Sequence, residues 1–174
     1  MMKNYTSYDL IEWGKPFEKS QHALPEPTLS EVLIRVTAAG LCHSDLHVQK
    51  GYMDLGEEGR LTFAERGAQL PMTFGHEIAG IVEAIGDKVK NVSIGQQVIV
   101  FPWIGCGDCL ACNEDRESDC SAMRIIGLKQ KGGFATHCLI ENEKFLVNID
   151  GLDAADVVPH ACSGITVYNA LEKI

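Results

Sequence analysis

Cys106, Cys109, Cys112 and Cys120 form a Cys-x2-Cys-x2-Cys-x7-Cys run, and nothing else in the sequence constrains the fold as tightly. Gly105 and Gly107 free the backbone to turn four sulfurs toward one point. A tetrahedral zinc held by four thiolates, with sulfurs at ~2.3 Å, suits that spacing, and its filled shell makes the site structural for the loop 105–121. Disulfides are one alternative and an iron–sulfur cluster another. Disulfides are disfavoured by an odd total of seven cysteines and by an N-terminus, Met1-Met2-Lys3-Asn4, that lacks a signal-peptide apolar region. A zinc deaminase is excluded, since no His-x-Glu precedes a Pro-Cys-x-x-Cys here.

The rest of the chain reads mainly as β structure. Tyr5 to Trp13, Glu31 to Ala38, Ile78 to Ile85, Gln97 to Phe101 and Phe134 to Glu141 are rich in Val, Ile, Phe or Tyr and bounded by turn residues. A barrel-like antiparallel domain with short helices accommodates them. From Asn148 the pattern changes: Asp150-Gly151-Leu152-Asp153 is a turn and cap signal, and Val167, Ala170, Leu171 and Ile174 follow at helical spacing. Stopping soon after a helix, with no closing strand, suggests a chain cut from something longer. The formal charge of −9, with no basic run, argues against nucleic acid as a partner. No apolar stretch approaches the ~20 residues of a membrane span. The expected location is the cytoplasm.

A second constellation is dispersed. Gly40-Leu41-Cys42-His43-Ser44-Asp45-Leu46-His47 packs a thiol, two imidazoles, a hydroxyl and a carboxylate just after an apolar strand, and Gly75-His76-Glu77 opens another strand. With Cys162 in the helical part, Cys42 and His76 would make a set of two thiolates and one imidazole, which leaves zinc a fourth position for water or substrate. Spacing alone equally allows Cys42 and Cys162 to be small buried hydrophobes and His76 a core histidine. A zinc peptidase is excluded, because the residue four after His76 is Gly80.

These motifs, together with Cys162-Ser163-Gly164-Ile165-Thr166, resemble the zinc-dependent alcohol dehydrogenases of the medium-chain dehydrogenase/reductase superfamily, from about Ile34 to Tyr168. The resemblance implies a GroES-like β-barrel catalytic domain over 1–148 and a helical segment over 149–174, leading toward a Rossmann domain that these residues do not include. It implies two zinc ions and NAD or NADP, the latter bound mainly by the other domain. Cys42, His76 and Cys162 then match the catalytic-zinc ligands, Glu77 the acid that can approach or replace a ligand, and Asp45 the carboxylate that orients the histidine. Ser44 and His47 match a proton relay, His43 a cofactor pyrophosphate contact, and Thr166 a residue beside the nicotinamide. The implied reaction moves hydride between a small-molecule alcohol or carbonyl compound and the cofactor, in a homodimer or homotetramer.

Two stretches depart from the family pattern. The segment from Val48 to Met72 is long, and Gly51 to Arg60 reads as an irregular charged insertion that either walls the substrate pocket or is a solvated loop. Gln96 stands where many relatives carry Asp. Cys138 is expected to be a buried structural thiol, His22, His137 and His160 match no role, and Trp103 is a pocket candidate. Two other functions compete. One is a non-catalytic zinc-binding GroES-like module, favoured by the lack of a Gly-x-Gly-x-x-Gly dinucleotide signature and opposed by Ser44 and His47. The other is a polyol or aldehyde dehydrogenase of the same superfamily.

Overall fold

The computed structural model describes residues 3–174. Along the chain run β1 (Asn4–Leu10), β2 (Glu18–Ala23), β3 (Val32–Gly40), α1 (His43–Lys50), β4 (Tyr52–Asp54), β5 (Arg60–Thr62), β6 (Met72–Thr73), β7 (Glu77–Ile85), β8 (Gln97–Val100), β9 (Trp103–Ile104), α2 (Leu110–Asn113), β10 (Arg124–Ile125), β11 (His137–Ile140), β12 (Leu146–Asn148), α3 (Ala154–Val157) and α4 (Ser163–Leu171). This is the mainly β architecture with short helices that the strand pattern predicts.

Five antiparallel strands in the order β11-β3-β7-β8-β12 make the main sheet, and β2-β1-β6 a smaller one. The segment just before β11 stitches the two together. Tyr8 N donates to Phe134 O at 2.8 Å, Thr136 N to Thr6 O at 2.8 Å, and Val36 N to Thr136 O at 2.9 Å. The main sheet encloses one apolar interior, in which Val32, Ile34, Ile78, Val98, Val100 and Ile140 are fully buried, while Leu10 of the smaller sheet packs in a second cluster with Phe74. Each such side chain contributes about 1.5–3 kcal/mol through removal from water.

Curvature is concentrated in the β3–β7 pair, whose register shifts between Leu33 and Ile34 and again between Val36 and Ala38. Gly80 sits opposite Val36 between these irregularities, and a Cβ there would collide with the Arg35 carbonyl and the Ile34 side chain. Gly80→Ala is therefore expected to cost about 1–3 kcal/mol, as overpacking typically does. Urea unfolding of the zinc-loaded protein checks it: the midpoint should fall with the slope unchanged.

Several expectations need correction. The first strand ends at Leu10 rather than Trp13, and Trp13 instead turns inward to stack on Phe74, ring centroids 6.4 Å apart. Regular pairing in the stretch Phe134 to Glu141 begins only at His137. The stretch Gly51 to Arg60 is less irregular than expected, since it carries most of the β4–β5 hairpin; Asp54 to Arg60 are exposed, and the chain returns to a core just after them, where Phe63 is buried with Val48, Leu10 and Phe74.

The C-terminal part is helical, with a 3₁₀ turn over Val158–Ala161 between α3 and α4. Asp153 Oδ1 caps α3 by accepting from Ala155 N at 2.8 Å. Val158 is buried with Ala79 of β7 and Ile149, which pins the turn to the main sheet and places Cys162 beyond the ends of β3 and β7. Among the described residues, no helix is long and apolar enough to cross a membrane.

Candidate metal centre

β3 and β7 pair so that Gly40 lies opposite Glu77. The residues following one strand and preceding the other therefore meet at the same end of the sheet. Gly40 has a specific task there, since a Cβ would overlap the Glu77 carboxylate. The chain leaves Gly40 and enters α1, whose N-cap is Cys42. Asp45 Oδ2 accepts from the Cys42 amide at 2.9 Å, closing the helix start. Gly51, at φ 89°, ends the helix in the left-handed conformation.

Ligand atoms of Cys42, His76 and Cys162 all lie within 4.8 Å of one another. The Cys42 and Cys162 sulfurs are 3.8 Å apart, which is what two ligands at ~2.3 Å from one tetrahedral centre require. The donor set fits zinc with its fourth position open. A small cavity, about 100 Å³, adjoins the set and is lined by Ser44, His76, Cys162, Trp103, Ile125 and Leu128 among others.

Asp45 is the group behind the histidine. Its Oδ1 lies 3.4 Å from His76 Nδ1, with both side chains buried. Burial opposes a charge on His76, but the Asp45 carboxylate and the Cys162 sulfur outweigh it and raise the imidazole to about 11. A metal entering this set therefore displaces a proton. Burial would raise the Cys42 thiol too, yet hydrogen bonds from the Ser44 backbone and side chain, His76 and Cys162 hold it below its usual value. Glu77 is buried, and burial raises its carboxyl, while His76 opposes the shift. It lies beside the three-residue set and outside it.

Cys106, Cys109, Cys112 and Cys120 also converge with all sulfurs within 4.8 Å. Cys106 and Cys112 are 3.9 Å apart, and Cys109 and Cys112 3.5 Å. These separations exceed the ~2.05 Å of a disulfide and leave room for one ion, too little for a multi-iron cluster. The amides of Asp108 and Cys109 hold Cys106 down to about 6, and the Cys106 amide donates to Cys120 Sγ at 3.3 Å. A Cβ on Gly105 would strike Cys112 Sγ and Glu117. Both glycines flanking Cys106 are thus used, Gly107 at φ 87°. Arg116 pairs with Glu114 and Asp119, and Glu117 with Lys144, bracing the loop from outside.

Ser44 lines the small cavity, its Oγ 3.6 Å from Cys42 Sγ. His47 follows on α1, half-buried, with its ring centroid 4.8 Å from that of the exposed His43. Thr166 is apart from this group, on α4, lining a second cavity of about 390 Å³ with Phe101, Trp103, Met123 and Ile165. Trp103 borders both cavities. A third, also about 390 Å³, lies between the insertion (Phe63, Arg66, Ala68) and Met123, Ile125 and Leu128. Motif reading overlooks Ile125 and Leu128, although the apolar run Ile125-Ile126-Gly127-Leu128 soon after the last clustered cysteine is a usable signal.

Cys138 is buried and pushed up to about 12, as a structural thiol should be. His137 pairs with Glu83, and His22 with Asp9. His160 is exposed in the 3₁₀ turn.

Residues 28–151 match the family model described as the alcohol dehydrogenase GroES-like domain. The chain belongs to that family. It is 40% identical over 165 residues to an NAD-dependent alcohol dehydrogenase of Sulfurisphaera tokodaii, covering 94% of this chain and 46% of that protein. An NAD-dependent alcohol dehydrogenase of Saccharolobus solfataricus is 39% identical with the same coverages. Among solved structures, the D-arabinose dehydrogenase from Sulfolobus solfataricus superposes with a TM-score of 0.83 at 29% identity, covering 99% of this chain and 48% of that one. The GroES-like domain therefore spans about half the length of the curated relatives it matches.

Proposed function

We propose that the chain is the zinc-bearing half of an oxidoreductase that transfers hydride between an alcohol, or the matching aldehyde or ketone, and NAD or NADP. The observation that carries this reading is the convergence of Cys42, His76 and Cys162 at a cavity also lined by Ser44. In this reading there are two zinc ions, a catalytic one on that set and a structural one on Cys106, Cys109, Cys112 and Cys120. Residues 1–148 form the catalytic domain and 149–174 lead toward a cofactor-binding domain, in a cytoplasmic homodimer or homotetramer. Exposed Val167, Tyr168 and Leu171 on α4 support a packing partner at that end.

Bound at the three-ligand set, zinc supplies Lewis acidity toward a hydroxyl or carbonyl oxygen. The chain's own groups do the rest. Asp45 fixes the His76 ring through Nδ1 and holds the Cys42 amide with its other oxygen, so two of the ligands are set by one carboxylate. In this reading Ser44 Oγ takes the proton of a substrate hydroxyl and gives up its own, and His47, three residues on along α1 and partly exposed, carries that proton to solvent. Trp103, Ile125 and Leu128 give the cavity apolar walls. Glu77 supplies a nearby carboxylate that can approach the metal as ligands exchange, while His43 and Thr166 face the cofactor. A polyhydroxylated substrate such as a sugar draws support from the D-arabinose dehydrogenase neighbour.

The test uses a protein carrying both this chain and the cofactor-binding half, followed by nicotinamide absorbance with short primary and secondary alcohols. His47→Gln is expected to slow oxidation by about tenfold, somewhat below the usual range of general acid–base effects because solvent partly substitutes, and most at lower pH, where hydroxide cannot replace the imidazole. Zinc content should not change. An unaltered pH–rate profile would rule out the relay. Failure of the unsubstituted protein to reduce either cofactor with any alcohol would sink the reaction itself.

A further inference from the structure

A cavity of about 340 Å³ opens on another part of the fold, beside β1, β2 and β11, lined by Tyr5, His22, Gln130, Lys131, His137 and Cys138 among others. It shares no lining residue with the cavity at the metal centre. Its polar groups form a directed chain that starts from Asp9. That carboxylate is buried, accepts from Thr73 Oγ1 at 2.6 Å and lies 3.0 Å from His22 Nε2. Burial alone would raise the Asp9 pKa, but the hydrogen bonds with Thr73 and His22 help to lower it, so Asp9 is an acceptor at neutral pH.

An ionised Asp9 assigns the His22 proton to Nε2 and makes Nδ1 the acceptor. Nδ1 faces Lys131 Nζ at 3.3 Å. The same ammonium donates to Tyr5 Oη at 3.4 Å and lies 5.8 Å from the Tyr5 ring centroid. Two of the three Lys131 donors are thus spent on neutral acceptors, and one remains. Tyr5, whose oxygen accepts from Lys131, keeps its own O–H to donate. Among the described residues, no carboxylate oxygen lies within 4.0 Å of Lys131 Nζ. Glu83 is already engaged by His137 at 3.2 Å and Arg35 at 3.6 Å.

Lys131 is itself exposed, and its ammonium is held at the mouth of the cavity by neutral groups in a chain with 24 acids to 15 basic residues, which leaves one N–H, beside the Tyr5 O–H, free for an acceptor with negative charge. We propose that this cavity binds a small oxyanion, a carboxylate or phosphate group, gripped by Lys131 Nζ and Tyr5 Oη. The neutral Cys138 thiol and Leu139 make an apolar floor. Ala23 and Pro25 also border an adjoining groove of about 770 Å³, which gives the organic remainder of a metabolite a place to lie.

The experiment is an amide-resolved NMR titration of the ¹⁵N-labelled, zinc-loaded protein with inorganic phosphate and, separately, with sodium acetate, each against sodium chloride at equal ionic strength. Saturable shifts centred on Tyr5, His22 and Lys131 are expected with at least one of the two anions. Saturation by phosphate alone assigns a phosphate headgroup, by acetate alone a carboxylate, and by both the shared oxyanion chemistry. Lys131→Met keeps the stem over the Tyr5 ring and removes the charge, and should weaken binding by about tenfold or more. Tyr5→Phe removes only the hydroxyl and should weaken it several-fold. Shifts that rise linearly with both anions, or affinity within about twofold of the parent in Lys131→Met, overturn the assignment.

Discussion

Replacing Cys112 by serine is expected to release the zinc proposed for the four-cysteine set and to unravel the loop 105–121, with a large loss of stability. Cys112 is buried, its sulfur lies 3.5 Å from Cys109 and 3.9 Å from Cys106, and Gly105 packs directly against it. A hydroxyl cannot replace a thiolate as a zinc ligand of similar strength. In small domains structural zinc supplies ~10–16 kcal/mol, and losing even a third of that, at ~2–4 °C per kcal/mol, lowers the melting temperature by about 7–21 °C. The loop has little else to hold it, since its Arg116 ion pairs are exposed and such pairs contribute little. Metal analysis beside thermal melting is the measurement. The parent should hold two zinc ions, one lost quickly to chelator from the open Cys42-His76-Cys162 set and one retained by the closed four-thiolate set. A parent with one zinc, or a Cys112→Ser protein that keeps both, removes the structural assignment.

The main-sheet strands and the four-cysteine cluster are legible in the sequence because each has a local signature. β3, β7 and β8 are dense in β-branched residues and bounded by turns, and four close cysteines need no tertiary information. β2 is illegible because Glu18 to Ala23 is polar and acquires its conformation only by pairing residue for residue with β1. The helix α1 is hidden for a different reason. Only Asp45 and Val48 of its eight residues are buried, so it has no apolar stripe, and its cap is written as Cys42 and Asp45 where a Ser or Thr with Glu would be recognised. The residues of α1 serve the site before they serve the core. Likewise the approach of Cys162 to Cys42 across 120 positions depends on Val158 docking on Ala79, a contact without a sequence mark. Motif reading names the residues that converge in the two clusters. It does not supply the wall: Ile125 and Leu128 border both the metal cavity and the cavity under the insertion.

Residues 1–174 on their own are expected to hold zinc and yet oxidise no alcohol at a measurable rate, with NAD or NADP supplied. Hydride transfer needs donor and acceptor carbons aligned at roughly 3–3.5 Å, and holding reactants in such a geometry accounts for about 7–11 kcal/mol of the barrier. That requires a surface gripping the whole dinucleotide. The groups proposed for that task are the exposed His43 at the start of α1 and Thr166, in a cavity that shares only Trp103 with the metal cavity. Two side chains on different helices, neither followed by a glycine-rich phosphate loop, do not constitute that surface. The same 174 residues should self-associate as concentration rises, because Val167, Tyr168 and Leu171 leave about 60% of their surface exposed along one short helix. Calorimetric titration with each cofactor, an alcohol-dependent rate assay and sedimentation over a concentration series measure the three consequences separately. Micromolar cofactor binding or turnover by these residues alone would mean that the dinucleotide site lies within them, and the division of labour between two halves would have to be abandoned. Self-association without either would leave that division standing and locate the missing contacts on α4.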